Sequence, residues 1–163
     1  PLIASFDMSK FGRGTPKMDP DEFLRLNAKI LHTLPYDRAK VRLAQIGLEE
    51  VTEDFWNTVR PNLEVIKDIQ EWWTVANGPV TPLVSDSDFA AKAIELMPQA
   101  PWTSATWKEW TDAIKAATGR KGKELFMPLR QALTGMDHGP ELGELLPLIG
   151  PDKAKARLSN QAA

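Results

Sequence analysis

The chain has 163 residues, 42% of them hydrophobic, a formal net charge of −2 and no cysteine. That is enough for one compact domain or two small ones with a real core. It excludes a disulfide framework and a thiolate zinc site, and it argues against a polycation drawn to nucleic acid or anionic membrane by overall charge alone. With two histidines, a His-based metal site is not expected. No apolar run approaches the roughly 20 residues that a membrane helix needs.

Strand signals are scarce and helix punctuation is frequent. Asp19-Pro20 reads as a capped helix start with Pro at the first helical position. Phe23, Leu26, Ile30, Leu31 and Leu34 follow at helical spacing and predict one apolar face. Pro35 ends that helix and opens the next, which runs to about Ala44. Residues 45–77 predict two helices around Arg60-Pro61. The first carries Val51, Phe55 and Val59, and the second Leu63, Ile66, Ile69 and Trp73. Asn77-Gly78-Pro79 closes the pair.

Ser85-Asp86 predicts a cap for a helix through Phe89, Ala93, Leu96 and Met97. Pro98 to Pro101 form a break. Thr103 caps a further helix with Trp107, Trp110 and Ile114 on one face, ended by Gly119. The segment 119–135, GRKGKELFMPLRQALTG, holds four cations against one acid and has Pro128 inside an otherwise helical pattern. A loop at 135–140 leads to a short helix over 141–149, stopped by Gly150-Pro151, and a last one carries Ala154 and Leu158. The expected class is all-α, with about nine short helices.

Candidate chemistry is sparse. The carboxylate pairs Glu49-Glu50 and Asp86/Asp88 read as helix-start acids that complement the helix dipole. His32 reads as a packed residue beside an apolar face, and His138 as a loop residue able to meet a ligand. No Ser/His/Asp constellation, Walker loop or dinucleotide fingerprint is present, so no catalytic residue and no metal ligand is assigned. Trp56, Trp73, Trp107 and Trp110 are expected in the core, and Trp102 as a staple before a capped helix. The strongest local signal is cationic. Residues 1–102 hold 11 Lys and Arg against 15 Asp and Glu, whereas residues 103–163 hold 9 against 7. Arg120, Lys121 and Lys123 are candidate phosphate contacts, and Arg130 is a candidate for a planar bidentate contact to a base. Exposed backbone N–H groups of the 135–140 loop would suit anion or base contacts.

LFMPLRQALTG, then HGPELGELLPLIG at 138–150 and ARL at 156–158, resembles the C-terminal anticodon-binding region of bacterial glutamyl-tRNA synthetases. SFDMSKFGR and KMDPDEFLRLNAKILH resemble the segment just after that family's catalytic core. FWNTVRPNLEVIKDI and PWTSATWKEWTDAIKAATGRKGKELF match its middle. The resemblance implies that residues 1–44 are the end of a stem-contacting region. It implies two helical anticodon-binding subdomains, at 45–98 and 99–163.

The family is a class I synthetase that attaches glutamate to tRNA with ATP and Mg²⁺, through a catalytic half not represented here. No cofactor is therefore expected in this fragment. The implied partner is tRNA(Glu), with tRNA(Gln) as a second candidate. No DNA or membrane partner is implied, and the parent enzyme is expected to be monomeric and cytoplasmic. By position, Arg130 matches the arginine of the PLR motif that faces the anticodon. Pro140 and Leu142 match positions that contact its bases, and Thr134 and Gly135 match the turn shaping that loop. Some members carry an arginine directly after the Arg-Pro pair to read the third anticodon base. Asn62 stands there in this chain, which puts strict discrimination against tRNA(Gln) in question. The competing reading is a helical protein-interaction module without RNA binding.

Overall fold

A computed structural model describes Phe6, Asp7, Ser9, Gly14 and residues 19–163. The rest of the SFDMSKFGR resemblance lies outside the described residues. Among those described, nine α-helices and two 3-10 turns are joined by short connections, and there is no strand. The order is α1 (Pro20–Thr33), α2 (Tyr36–Gln45), α3 (Glu53–Val59), 3-10 turns at Arg60–Asn62 and Ile66–Asp68, and α4 (Ile69–Asn77). There follow α5 (Ser87–Glu95), α6 (Ser104–Thr118), α7 (Lys123–Thr134), α8 (Leu142–Ile149) and α9 (Pro151–Leu158). This is the all-α architecture expected from the punctuation.

The caps explain most boundaries. The Asp19 carboxylate accepts from Asp21 N–H and Pro20 opens α1. Asp86 accepts from Phe89 N–H at the start of α5, and Thr103 caps α6. Each satisfies a backbone donor that the first helical turn leaves unpaired. At α3 the sequence reading needs correcting. Thr52 is the cap, accepting from Phe55 N–H at 3.2 Å, and Glu49-Glu50 lie in the preceding turn. The second predicted helix of that pair also starts later, because the chain after Arg60-Pro61 first makes two 3-10 turns. Leu63 consequently lies between those turns, buried but outside any helix.

Helix α8 sits at the centre of the packing, touching α3, α4, α6 and α9, while α7 and α5 close against α9. One hydrophobic core runs through both halves of the chain, from Trp56, Leu63 and Ile69 to Trp110, Leu129, Leu145 and Leu158. Each fully buried side chain of this size contributes about 1.5–3 kcal/mol. The buried indole N–H groups are all used. Trp56 Nε1 donates to Leu34 O and Trp110 Nε1 to Ala93 O, both at 2.9 Å. Trp73 and Trp107 are only half-buried, and Trp72 is the deeply buried member of its pair.

Two helices depart from expectation. Helix α7 runs through Pro128 without ending. The proline removes one N–H, whose normal acceptor would be the carbonyl of exposed Glu124. Leu125, Leu129, Ala132 and Leu133 stay buried on one side and hold the helix in place. Helix α1 is the reverse case. Only part of its predicted apolar face enters the core: Leu31 is buried and Leu34 packs against it, whereas Phe23, Leu26 and Ile30 are exposed at 58%, 55% and 49%. The helix is also held by polar ties, Asn27 Nδ2 to Glu64 O and His32 Nε2 with Leu63 O.

Candidate nucleic-acid interface

The site forms where α7 ends and the chain turns back toward α8. Thr134 and Gly135 make that turn. The Thr134 hydroxyl donates to Arg130 O at 2.8 Å and accepts from Met136 N–H at 3.1 Å. Gly135 caps α7 at φ +73°, and a Cβ there would lie 2.9 Å from Thr81 O. Only glycine combines that left-handed backbone with so close an approach. The two residues shape this turn.

The loop then folds along α7 and is fastened by Arg130. Its guanidinium donates from Nη1 to His138 O at 3.2 Å and from Nη2 to Pro140 O at 2.9 Å. Arg130 is half-buried. Burial lowers its pKa, and the nearby Glu141 charge opposes that shift. Two of its five N–H groups are spent on the loop. Pro140 and Leu142 are both buried, so Pro140 reaches Arg130 through its carbonyl while Leu142 begins α8. On the other side the loop meets α4. Gly139, at φ +120°, lies so close to Trp72 that a Cβ would fall 2.0 Å from the indole ring. The His138 ring stands edge-on to the same indole, centroids 6.3 Å apart.

Two concavities flank this loop. One, of about 290 Å³, is lined by Trp107, Phe126, Arg130, Glu141 and Leu142. The Trp107 and Phe126 rings lie 6.1 Å apart at 38°. The other, of about 350 Å³, is lined among others by Asn62, Glu64, Glu71, Trp72, His138 and Gly139. Residues from both halves of the sequence therefore meet at the loop. Asn62, separated from Arg130 by 68 positions, lines the concavity beside His138 and Gly139.

The cations divide. Arg120 pairs with Asp86 and lies 4.3 Å above the Phe89 ring, so it is committed to the start of α5. The Asp86 carboxyl is lowered in pKa by the Phe89 N–H bond and by Arg120. Lys121 and Lys123 are exposed. Asp137 is held below the usual carboxylate range by His138 first, and the Lys123 charge adds to this. That places Lys123 in electrostatic reach of the loop.

Trp107 and Phe126 were missed as site residues. Trp107 shares a stripe with Trp110 and Ile114, but it stands at the stripe's edge and is only half-buried, whereas the other two are buried. Phe126 lies off the 125/129/133 stripe and is 43% exposed. An aromatic off the apolar stripe of a cation-bearing helix is a signal the sequence does carry.

Residues 32–162 match the family model for the anticodon binding domain. The chain belongs to the anticodon-binding domain family. Along 99% of its length it is 48% identical to glutamate–tRNA ligase 2 of Methylorubrum populi and 49% identical to glutamate–tRNA ligase of Azospirillum brasilense, covering 36% of each. The chain thus spans about a third of the curated relatives it matches. Its fold is also that of two solved structures. Over 97% of the chain it matches a glutamate-tRNA synthetase from Elizabethkingia anophelis (TM-score 0.75, 18% identity, 34% of that chain). The same share matches a glutamate tRNA ligase from Elizabethkingia meningosepticum (TM-score 0.80, 16% identity, 35% of that chain). The anticodon-binding domain expected from PLRQALTG and HGPELGELLPLIG is the family found.

Proposed function

We propose that this chain holds the anticodon loop of tRNA(Glu) for a cytoplasmic, monomeric glutamate–tRNA ligase, and that it tolerates tRNA(Gln) in the same site. The observation that carries the reading is the meeting of two aromatic rings, one half-buried guanidinium and a fastened loop at one surface in a member of this family. Unpaired loop bases are splayed and can be stacked on aromatic rings and hydrogen-bonded along their edges. The Trp107–Phe126 pocket supplies the stacking surface, worth about 1–3 kcal/mol per base. Arg130 lines that pocket and keeps N–H donors beyond the two spent on the loop. Lys121 and Lys123 supply phosphate attraction, while Arg120 serves the fold.

The second concavity is acidic. Glu64 and Glu71 repel phosphate and accept hydrogen bonds, so they favour the amino edge of a base over the backbone. ATP and Mg²⁺ would act in the catalytic part of the full-length enzyme, away from these residues. The protein-interaction alternative is favoured by one feature, the exposed apolar face of α1, which lies on a different element from the loop.

The test is binding of tRNA(Glu) to the full-length protein across a salt series. Arg130→Ala is expected to weaken binding about tenfold and to lower charging at subsaturating tRNA. Unchanged kinetics in that regime, with no salt dependence of binding, would remove the assignment and leave the protein-interaction reading.

A further inference from the structure

Arg157 is the largest buried polar group away from the loop, and the proposed function gives it no role. Its guanidinium is fully buried and has no Asp or Glu partner among the described residues. Three backbone oxygens take its protons, one of them on Ala163, the last residue of the sequence. Nε donates to Ala163 O at 2.7 Å, Nη1 to Leu133 O at 2.7 Å, and Nη2 to Gly78 O at 3.2 Å. Leu133 is in the last turn of α7, and Gly78 is the residue that ends α4. Burial pushes the guanidinium pKa down to about 10, which leaves it charged at neutral pH. A buried charge costs stability unless its hydrogen bonds are complete. The planar fork of arginine holds three oxygens from three segments in one fixed geometry.

The position of this joint matters more than its strength. Helix α4 carries Trp72, against which Gly139 is packed. Helix α7 carries Arg130, which fastens His138 and Pro140. The loop closes a triangle whose two sides are α4 and α7. We propose that Arg157 is a positioning residue for tRNA recognition: it ties the C-terminal ends of α4 and α7 and thereby fixes the gap in which Trp72 and Arg130 hold the 138–140 loop. The joint has further ties. Val80 N–H donates to Ala163 O at 3.0 Å, Leu83 N–H to Gln131 O at 3.1 Å, and Lys153 Nζ to Ala76 O at 2.7 Å. The inference rests on the anticodon-loop reading above.

The test uses the full-length protein carrying Arg157→Lys, which keeps the charge and loses the fork. Lys153→Met is the milder variant at the same joint and covers the case in which Arg157→Lys does not fold. Three quantities are measured well below the melting temperature: tRNA(Glu) affinity per folded molecule, the affinity ratio between tRNA(Glu) and an anticodon-substituted tRNA, and kcat at saturating tRNA. We expect affinity to fall about tenfold in Arg157→Lys and about twofold in Lys153→Met. The anticodon ratio should shrink in both, with kcat nearly unchanged. A lowered melting temperature with wild-type affinity and wild-type ratio would make Arg157 a purely structural residue and overturn the proposal. Arg130→Ala is the parallel control. If it weakens binding while both joint variants do not, the positioning inference alone fails. If it too leaves binding unchanged, the reading of the loop fails with it.

Discussion

Arg130 and Arg157 lie at two ends of the same construction and do similar chemistry in different surroundings. Each donates to backbone oxygens: Arg130 to two in the loop, Arg157 to three in separate segments. Arg130 is half-buried and lines an open pocket, so its remaining donors can meet solvent or a ligand. Arg157 is sealed, so all of its hydrogen-bonding capacity goes into joining the chain. The same side chain therefore separates into a ligand-facing role and a joint according to how much water reaches it.

Substituting the two should split along that line, and the largest effect belongs to the sealed one. Arg157→Ala leaves the buried carbonyl of Leu133 and the half-buried one of Gly78 without their donor and opens a cavity. An unsatisfied buried acceptor costs about 1–3 kcal/mol. We expect a loss of about 3 kcal/mol of stability, or about 6–12 °C in Tm at this chain length. Arg130→Ala, with water available to its carbonyls, should cost about 1 kcal/mol of stability, and its main effect should be on RNA binding. Urea unfolding of both variants checks the comparison. Equal losses would mean that exposure does not separate the two roles.

Gly139→Ala tests the gap that the two arginines hold between them. The new methyl would be driven into the Trp72 indole, and φ at +120° is a conformation that alanine avoids. Backbone strain of this kind costs about 1–3 kcal/mol. The loop must shift or Trp72 must leave its place. We expect a smaller loss of stability than for Arg157→Ala, together with a clear loss of tRNA affinity. Wild-type affinity in this variant would show that the 138–140 loop is not part of the binding surface.

Most of the fold was legible because its information is local. Asp19, Asp86 and Thr103 announce helix starts by their own capping chemistry, and Gly119 and Gly135 announce ends by their left-handed backbone. The misplacements arise where the outcome depends on distant residues. Phe23, Leu26 and Ile30 have helical apolar spacing, as do Leu125, Leu129 and Leu133, yet only the second set is covered. Periodicity defines a face and says nothing about what lies over it. Of the candidate site, the cation Arg130 stood out by pattern, and Thr134, Gly135 and Pro140 came from the family resemblance. Arg130, Thr134, Gly135 and Pro140 are neighbours in sequence, whereas their meeting with Trp72, Trp107 and Asn62 needs the fold. The ion pair of Arg120 was not legible, because its partner, Asp86, is 34 positions away.

Asn62 offers the finest test, because on the proposed reading its substitution alters which tRNA is held rather than whether the site forms. It is exposed, ends a 3-10 turn, and lines the concavity shared with Glu64, Glu71, Trp72 and His138. Asparagine offers one short amide, with a donor and an acceptor end, and so suits bases of either polarity. An arginine at this position would be drawn toward Glu64 and Glu71, whose carboxylates would hold its fork in the concavity. Such a fixed, donor-only group favours a base that presents acceptors and penalises one that presents a donor. Asn62→Arg should therefore shift the ratio of kcat/KM for tRNA(Glu) over tRNA(Gln) about tenfold, within the roughly 1–3 kcal/mol that one bidentate contact contributes to base discrimination. Stability should change by less than about 0.5 kcal/mol, as for other exposed positions. An unaltered ratio would place the anticodon's third base elsewhere and confine recognition to the Arg130 side of the loop.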